Sequence, residues 1–181
     1  MIANIKIGIT GLPGAGKTYA LLRVIEMLKE EDAVIGGMID EPVIDGKHRV
    51  GFTVRDLLSG ETEVFGDTET PSKIMVGRIG IDLSKFESVA VSAIENACAE
   101  ADIIVIDEIG KVEVESEAFV KAVRAALEVD KPMIITLHKK SRNPLLQDIR
   151  RRDDVRILEV TQTNRNLLPY KVKGLMNGEK I

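Results

Sequence analysis

Eight residues, Gly11-Leu12-Pro13-Gly14-Ala15-Gly16-Lys17-Thr18, spell the pattern G-x-x-x-x-G-K-[ST] and restrict the fold more than any other feature of the chain. Such a loop cradles an anion only between a strand and a helix. Ile5 to Thr10 is a short β-branched run that predicts the strand. Tyr19 to Lys29 places Leu21, Leu22, Ile25 and Leu28 at the spacing of one helical face. In that order, several backbone N–H groups and the positive end of a helix dipole converge on one phosphate. The three glycines let the backbone approach closely, where a Cβ would stand in the way. Lys17 is then the candidate for the β/γ-phosphates, and the Thr18 hydroxyl for Mg²⁺. Chance would produce the bare pattern in roughly one chain of this length in a hundred, before the flanking elements are counted. The segment predicts a nucleoside-triphosphate site using all eight residues.

A second motif, Ile103-Ile104-Val105-Ile106-Asp107-Glu108, is an apolar run ending in two carboxylates. A buried parallel strand carries charge at its solvent end, and ligands of such sheets lie at the carboxyl ends of the strands. Asp107 is therefore the candidate to hold Mg²⁺ opposite Thr18. Glu108 is the candidate general base for the water attacking the γ-phosphate. Read alone, the pair is more simply a polar strand exit; the phosphate loop upstream turns the balance toward the metal and base roles. Ile109 and Gly110 complete a D-x-x-G, which small GTPases also carry. Those proteins read guanine with Asn-Lys-x-Asp, and Thr163-Asn164-Arg165-Asn166 lacks the terminal carboxylate.

The remaining pattern alternates strands with helices, which predicts an α/β three-layer sandwich of the P-loop NTPase kind. Its sheet is expected to be mostly parallel and five-stranded. The strands are Ile5–Thr10, Ala33–Ile39, Ile103–Ile106, Met133–Leu137 and Val155–Val160. Arg49–Leu57 and Glu63–Phe65 predict an inserted β-hairpin turning at Ser59-Gly60, and residues 66–83 a long loop with one short strand. Ser84-Lys85-Phe86-Glu87 reads as a capping box opening a helix with the stripe Phe86, Ala90, Ile94, Ala97 and Ala101. A further helix is expected over Glu117–Glu128, and Asn143-Pro144 starts a short one to about Arg151. Residues 1–181 are expected to form a single domain.

Composition is that of an ordinary globular chain, and a net charge of −4 argues against a general nucleic-acid binder. No apolar stretch approaches a membrane span. The chain enters its first strand almost at Met1, and its lone cysteine, Cys98, cannot form an internal disulfide. Both point to a cytoplasmic protein, and a monomer is the favoured state. Cys98 lies on a helix stripe and reads as a small core residue. His48 reads as a surface residue, and His138 either as a γ-phosphate contact or as a polar strand exit. Between residues 139 and 156 seven basic residues face three aspartates. Arg142, on the loop after Leu137, is the candidate for the charge that develops on a transferring phosphoryl group; Arg150 to Arg152 read as a solvated helix face.

The chain resembles the small P-loop nucleoside-triphosphatase family of thermophilic microbes, whose animal member is called the cancer-related nucleoside triphosphatase. The matching segments are Gly11 to Thr18, Gly51-Phe52 with Gly60-Glu61, and Val76-Gly77-Arg78-x-Gly80. They continue with Asp107-Glu108-Ile109-Gly110-Lys111-x-Glu113 and Thr161-x-x-Asn164-Arg165 before Leu168-Pro169. Val112 stands where Met is expected and Ile79 where an aromatic is expected. The resemblance implies slow, Mg²⁺-dependent hydrolysis of ATP, GTP, CTP and UTP. It also implies that the strand Met133–Leu137 lies between those of the phosphate loop and Asp107, which brings Thr136 or His138 near the γ-phosphate. Arg165 would approach the nucleobase or ribose. Two other functions use the same loop. A nucleotide or polynucleotide kinase would build an acceptor site from Arg49, Arg55 and Arg78, and a regulatory ATPase would dock a partner on the basic segment.

Overall fold

The alternating pattern resolves into nine strands and five α-helices over residues 2–180, the part of the chain that the structure, a computed structural model, describes. The chain begins with β1 (Lys6–Gly11), α1 (Lys17–Lys29), β2 (Ile35–Asp45), β3 (His48–Asp56) and β4 (Thr62–Asp67). Two short strands, β5 (Met75–Val76) and β6 (Ile79–Ile81), precede α2 (Leu83–Glu100) and β7 (Ile103–Ile109). A 3₁₀ turn at Glu113–Glu115 leads into α3 (Glu117–Leu127), followed by β8 (Met133–His138) and α4 (Pro144–Arg151). The chain closes with β9 (Val155–Glu159) and α5 (Leu168–Met176).

One sheet takes all nine strands in the order β5-β6-β4-β3-β2-β7-β8-β1-β9. Its β2-β7-β8-β1-β9 half is parallel throughout, and the other half is antiparallel. Strands of the parallel half are apolar on both faces because both are covered. Ile103 and Val105 of β7 pack with Leu21, Ile25 and Leu28 of α1 and with Val172 and Leu175 of α5. Ile104 and Ile106 pack with Phe86 and Ile94 of α2 and with Phe119 of α3. The expected three layers result. Four phenylalanines run through the second face, Phe52 to Phe65 to Phe86 to Phe119, with ring centroids 5.9, 5.1 and 5.3 Å apart.

The sheet corrects the expected five strands plus inserted hairpin. The five predicted strands are the parallel half, but β2 does not end at Ile39. Its first residues pair with β7, Ile35↔Ile103 through Ile39↔Asp107, and from Met38 onward it pairs antiparallel with β3. Asp40-Glu41-Pro42 reads as a stop because it is polar and contains proline. Beyond Ile39, however, β7 no longer runs alongside, and proline is tolerated on an edge. The predicted hairpin of β3 and β4 is present, and it extends this same sheet. Residues 66–83 carry two short strands rather than one.

Two helix readings also change. The cap of α2 is Asp82, not Ser84: its carboxylate accepts from the backbone N–H of Ser84 at 3.0 Å and of Lys85 at 3.2 Å. Glu87 instead accepts from the Ser116 hydroxyl at 2.6 Å. α5 is a helix that the expected pattern lacks, although Leu168, Val172, Leu175 and Met176 form a buried stripe at helical spacing. Pro169 marks a break in sequence, yet it sits in the first turn, where no intrahelical N–H is needed. Among the described residues no helix is long and apolar enough to cross a membrane.

Candidate active site

The order β7-β8-β1 places the carboxyl ends of three strands side by side, with β8 between the other two, as the resemblance implied. From β1 the chain turns through the phosphate loop into α1. Gly14 and Gly16 hold φ of 77° and 109°, a region that disfavours any side chain. Gly16 is the cap of α1 and offers no side chain to its first N–H groups. Those donors stay available to an anion. The Lys17 side chain is 11 % exposed; its Nζ donates to the Gly11 carbonyl at 3.0 Å and lies 3.9 Å from Glu108 Oε2.

Asp107 is buried at the end of β7 and accepts two hydroxyl hydrogen bonds. Thr18 Oγ1 donates to its Oδ2 at 3.0 Å, and Thr136 Oγ1 of β8 donates to its Oδ1 at 2.5 Å. Burial pushes the Asp107 carboxyl up to about 6, against the pull of those two hydrogen bonds. The pairing of β7 with β8 shifts between Ile106 and Ile109. Such an irregularity re-aims side chains, and here it falls on Asp107 and Glu108. Hydroxyl and carboxylate oxygens are the donors that a hard cation takes. Thr18 and Asp107 therefore fit a Mg²⁺ ion. No cluster of three or more His, Cys, Asp or Glu suited to a metal occurs among the described residues.

Two further carboxyls lie in this site and were not singled out from sequence. Both Asp40 oxygens are buried and meet no hydrogen-bond donor. Burial raises the Asp40 carboxyl well above the usual carboxylate range, and the neighbouring Glu113, Asp107 and Glu108 raise it further. Burial likewise lifts Glu113 to about 7. Gly110 sits between two of these acids: a Cβ there would meet Glu108 Oε1 at 3.0 Å and Glu113 Oε2 at 3.1 Å. Glu113 has a local signal, since it closes the segment Asp107-Glu108-Ile109-Gly110-Lys111-x-Glu113. Asp40 has none, since only the register Ile39↔Asp107 brings it here.

Of the other candidates, Ile109 and Gly110 are buried within the site wall. His138 ends β8, half-buried; burial lowers its pKa, while Glu108 pulls it up. Arg142 is exposed on the loop after β8, with no ion pair or side-chain hydrogen bond among the described residues. Arg150 is not a solvated residue. Its guanidinium donates to the carbonyls of Ser141 at 2.7 Å and His138 at 2.6 Å, pinning that loop. Arg152 is also committed, to Glu128 and Asp154. Cys98 packs half-buried against the core with a thiol raised by burial, and His48 is exposed.

A family model described as NTPase matches residues 6–173. The chain belongs to this nucleoside-triphosphatase family. A nucleoside-triphosphatase THEP1 of Picrophilus torridus is 36 % identical over 97 % of this chain and 98 % of its own length. One from Thermofilum pendens is 40 % identical over 89 % of each chain. The crystal structure of THEP1 from Aquifex aeolicus matches with a TM-score of 0.82 at 30 % identity, covering 95 % of this chain and 99 % of that one. A solution structure of a human cancer-related nucleoside triphosphatase matches with a TM-score of 0.80 at 33 % identity, over 97 % and 100 %. The likeness is full-length, so the antiparallel extension of the sheet lies within the family match.

Proposed function

We propose that this chain hydrolyses nucleoside 5′-triphosphates to the diphosphate and phosphate, dependent on Mg²⁺ and with little choice of base. The observation that carries the reading is the carboxylate of Glu108 standing 3.9 Å from the phosphate-loop lysine. A P-loop enzyme that phosphorylates an acceptor has no need of a base for water there.

The loop N–H groups and Lys17 bind the β- and γ-phosphates and spread the charge that builds on them. Mg²⁺ held through Thr18 and Asp107 would neutralise part of that charge. Glu108 takes the proton of a water whose oxygen forms the new bond to the γ-phosphorus. The bond from that phosphorus to the bridging oxygen breaks, and the nucleoside diphosphate leaves. Arg142 is the cation that we assign to the transferring phosphoryl group. These contacts are common to every nucleoside triphosphate, so affinity depends little on the base.

The kinase alternative needs Arg49, Arg55 and Arg78 to converge on an acceptor. Arg55 is instead paired with Glu41 at 2.7 Å, and Arg49 lies over the Phe52 ring at 5.3 Å. One sheet that takes strands from residue 6 to residue 159 supports a single domain over 1–181, and the lone cysteine supports a cytoplasmic setting. The test is phosphate release from ATP, GTP, CTP and UTP, with and without Mg²⁺ and candidate acceptors. Release should need no acceptor and should fall on Lys17→Ala. The four kcat/KM values should lie within about two decades, below the ~10⁴-fold that a base-reading site reaches. Diphosphate formed only in step with a phosphorylated acceptor would make the chain a kinase.

A further inference from the structure

One cation touches the phosphate loop from outside the catalytic cluster. A Cβ on Gly16 would meet Arg165 Cδ at 3.3 Å and Arg165 Cβ at 3.5 Å. The stem of Arg165 therefore lies against the last glycine of the loop. Its backbone is held firmly. Asn164 Oδ1 accepts from the Thr161 N–H at 2.7 Å, and its Nδ2 donates to the Glu159 carbonyl at 2.9 Å. The Arg165 N–H donates to the Thr161 carbonyl at 3.0 Å. The guanidinium is exposed and makes no ion pair or side-chain hydrogen bond among the described residues. It is held in place but left free at its head.

Strand order says which part of a nucleotide that head would meet. Asp107 and Glu108 lie on the β7 side of β1, and Arg165 follows β9 on the other side. With the γ-phosphate at Lys17 and Glu108, the triphosphate runs over the loop and its nucleoside end leaves toward β9. Aromatic rings for a base are scarce there. All four phenylalanines are committed to the core stack. The two tyrosines are exposed on α1 and α5, and Tyr170 lies beside Arg23.

We propose that the guanidinium of Arg165 stacks on the face of the nucleobase and is the base platform of this site. The proposal rests on the triphosphate-binding reading above. A guanidinium is planar, weakly hydrated and suited to stacking. Every base has a π-face, so stacking contributes affinity without reading an edge. Low selectivity then follows from the platform itself.

Inorganic tripolyphosphate, which has phosphates and no base, separates the possibilities when its binding is compared with that of ATP and CTP in Mg²⁺ buffer. Arg165→Ala should weaken ATP about ten-fold or more and CTP less, because a pyrimidine offers a smaller face. Tripolyphosphate affinity should not change. Arg165→Lys, which keeps charge without a plane, should bind nucleotides as weakly as the alanine variant. Arg165→Phe, which keeps a plane without charge, should restore most of the loss. Equal weakening of ATP and tripolyphosphate by Arg165→Ala would make Arg165 a phosphate ligand and overturn the proposal. So would unchanged affinity for both, with the triphosphate site left intact. A parent protein that binds neither ligand would remove the triphosphate reading as well.

Discussion

Glu108→Gln separates chemistry from binding in this site. Glutamine keeps the shape and accepts hydrogen bonds but cannot take a proton from water. Loss of a general base costs ~10²–10⁴-fold in rate, or about 3–5 kcal/mol of barrier. Against this stands the other loss, the 3.9 Å pair with Lys17. The Glu108 side chain is 33 % exposed, and partly solvated pairs contribute only about 0–1 kcal/mol, a factor of about five at most. Lys17 also keeps its bond to the Gly11 carbonyl. Removing a negative charge beside the phosphates leaves nucleotide affinity unchanged or slightly tighter. Turnover should thus fall at least a decade further than affinity moves. Single-turnover phosphate release, paired with equilibrium binding of ATP, measures both. Turnover within ten-fold of the parent would place the base elsewhere. An affinity loss as large as the rate loss would make Glu108 a binding residue.

Thr136→Val keeps the buried volume and removes the 2.5 Å hydrogen bond to Asp107. Hydrogen bonds to charged groups are worth about 1.5–3 kcal/mol, so Asp107 should titrate about a unit or more higher than its present value of about 6. Because only the carboxylate holds a cation, the Mg²⁺ requirement of turnover should rise as pH falls through that range, and at a higher pH in the variant; an identical pH profile of half-activating Mg²⁺ would refute the link. Asp40 and Glu113 give a stability test with the opposite sign from an ion-paired carboxylate. Their folded-state values are raised, Glu113 to about 7, so their contribution is present below the ordinary carboxylate range and lost as pH rises toward 7. Asp40→Asn removes one of these acids and supplies a donor, so its Tm without nucleotide should gain on the parent as pH rises above the ordinary carboxylate range, by about 2–4 °C per kcal/mol. Parallel Tm curves for the two proteins would show that the pair carries no such cost.

What could be read from the sequence differs from what could not by how far apart the determining residues lie. The phosphate loop, the end of β7 and the parallel half of the sheet are written in contiguous segments. The loop needs its own glycines, and Ile103 to Ile106 must be apolar because both faces are covered. The Asn143 cap of α4 is equally local, its Oδ1 accepting from the Leu145 N–H at 3.0 Å. The continuation of β2 past Ile39 has no such signature. Only one of its sides is paired and its outer residues are exposed, so the usual apolar spacing is not required of it. Asp82 displaced Ser84 as the α2 cap because either residue type can cap, and the contact decides.

The same distinction divides the site. Lys17, Thr18, Asp107 and Glu108 carry the proposed chemistry and sit in motifs that a reader can find. The surroundings that set how Asp107 titrates come from elsewhere, Thr136 from β8 and Asp40 from the point where β2 leaves β7. A buried carboxyl such as Asp40 is costly to ionise in a folded chain. Its neighbours are the acids of the site. A cation bound at Thr18 and Asp107 would lower the cost of keeping Asp40, Glu108 and Glu113 ionised together, so cation binding and deprotonation of the cluster should favour one another. The stability deficit expected of the free protein at pH 8 should therefore shrink when Mg²⁺ and nucleotide are added. In Asp40→Asn, where less of that cost remains, the same addition should raise the Tm by less.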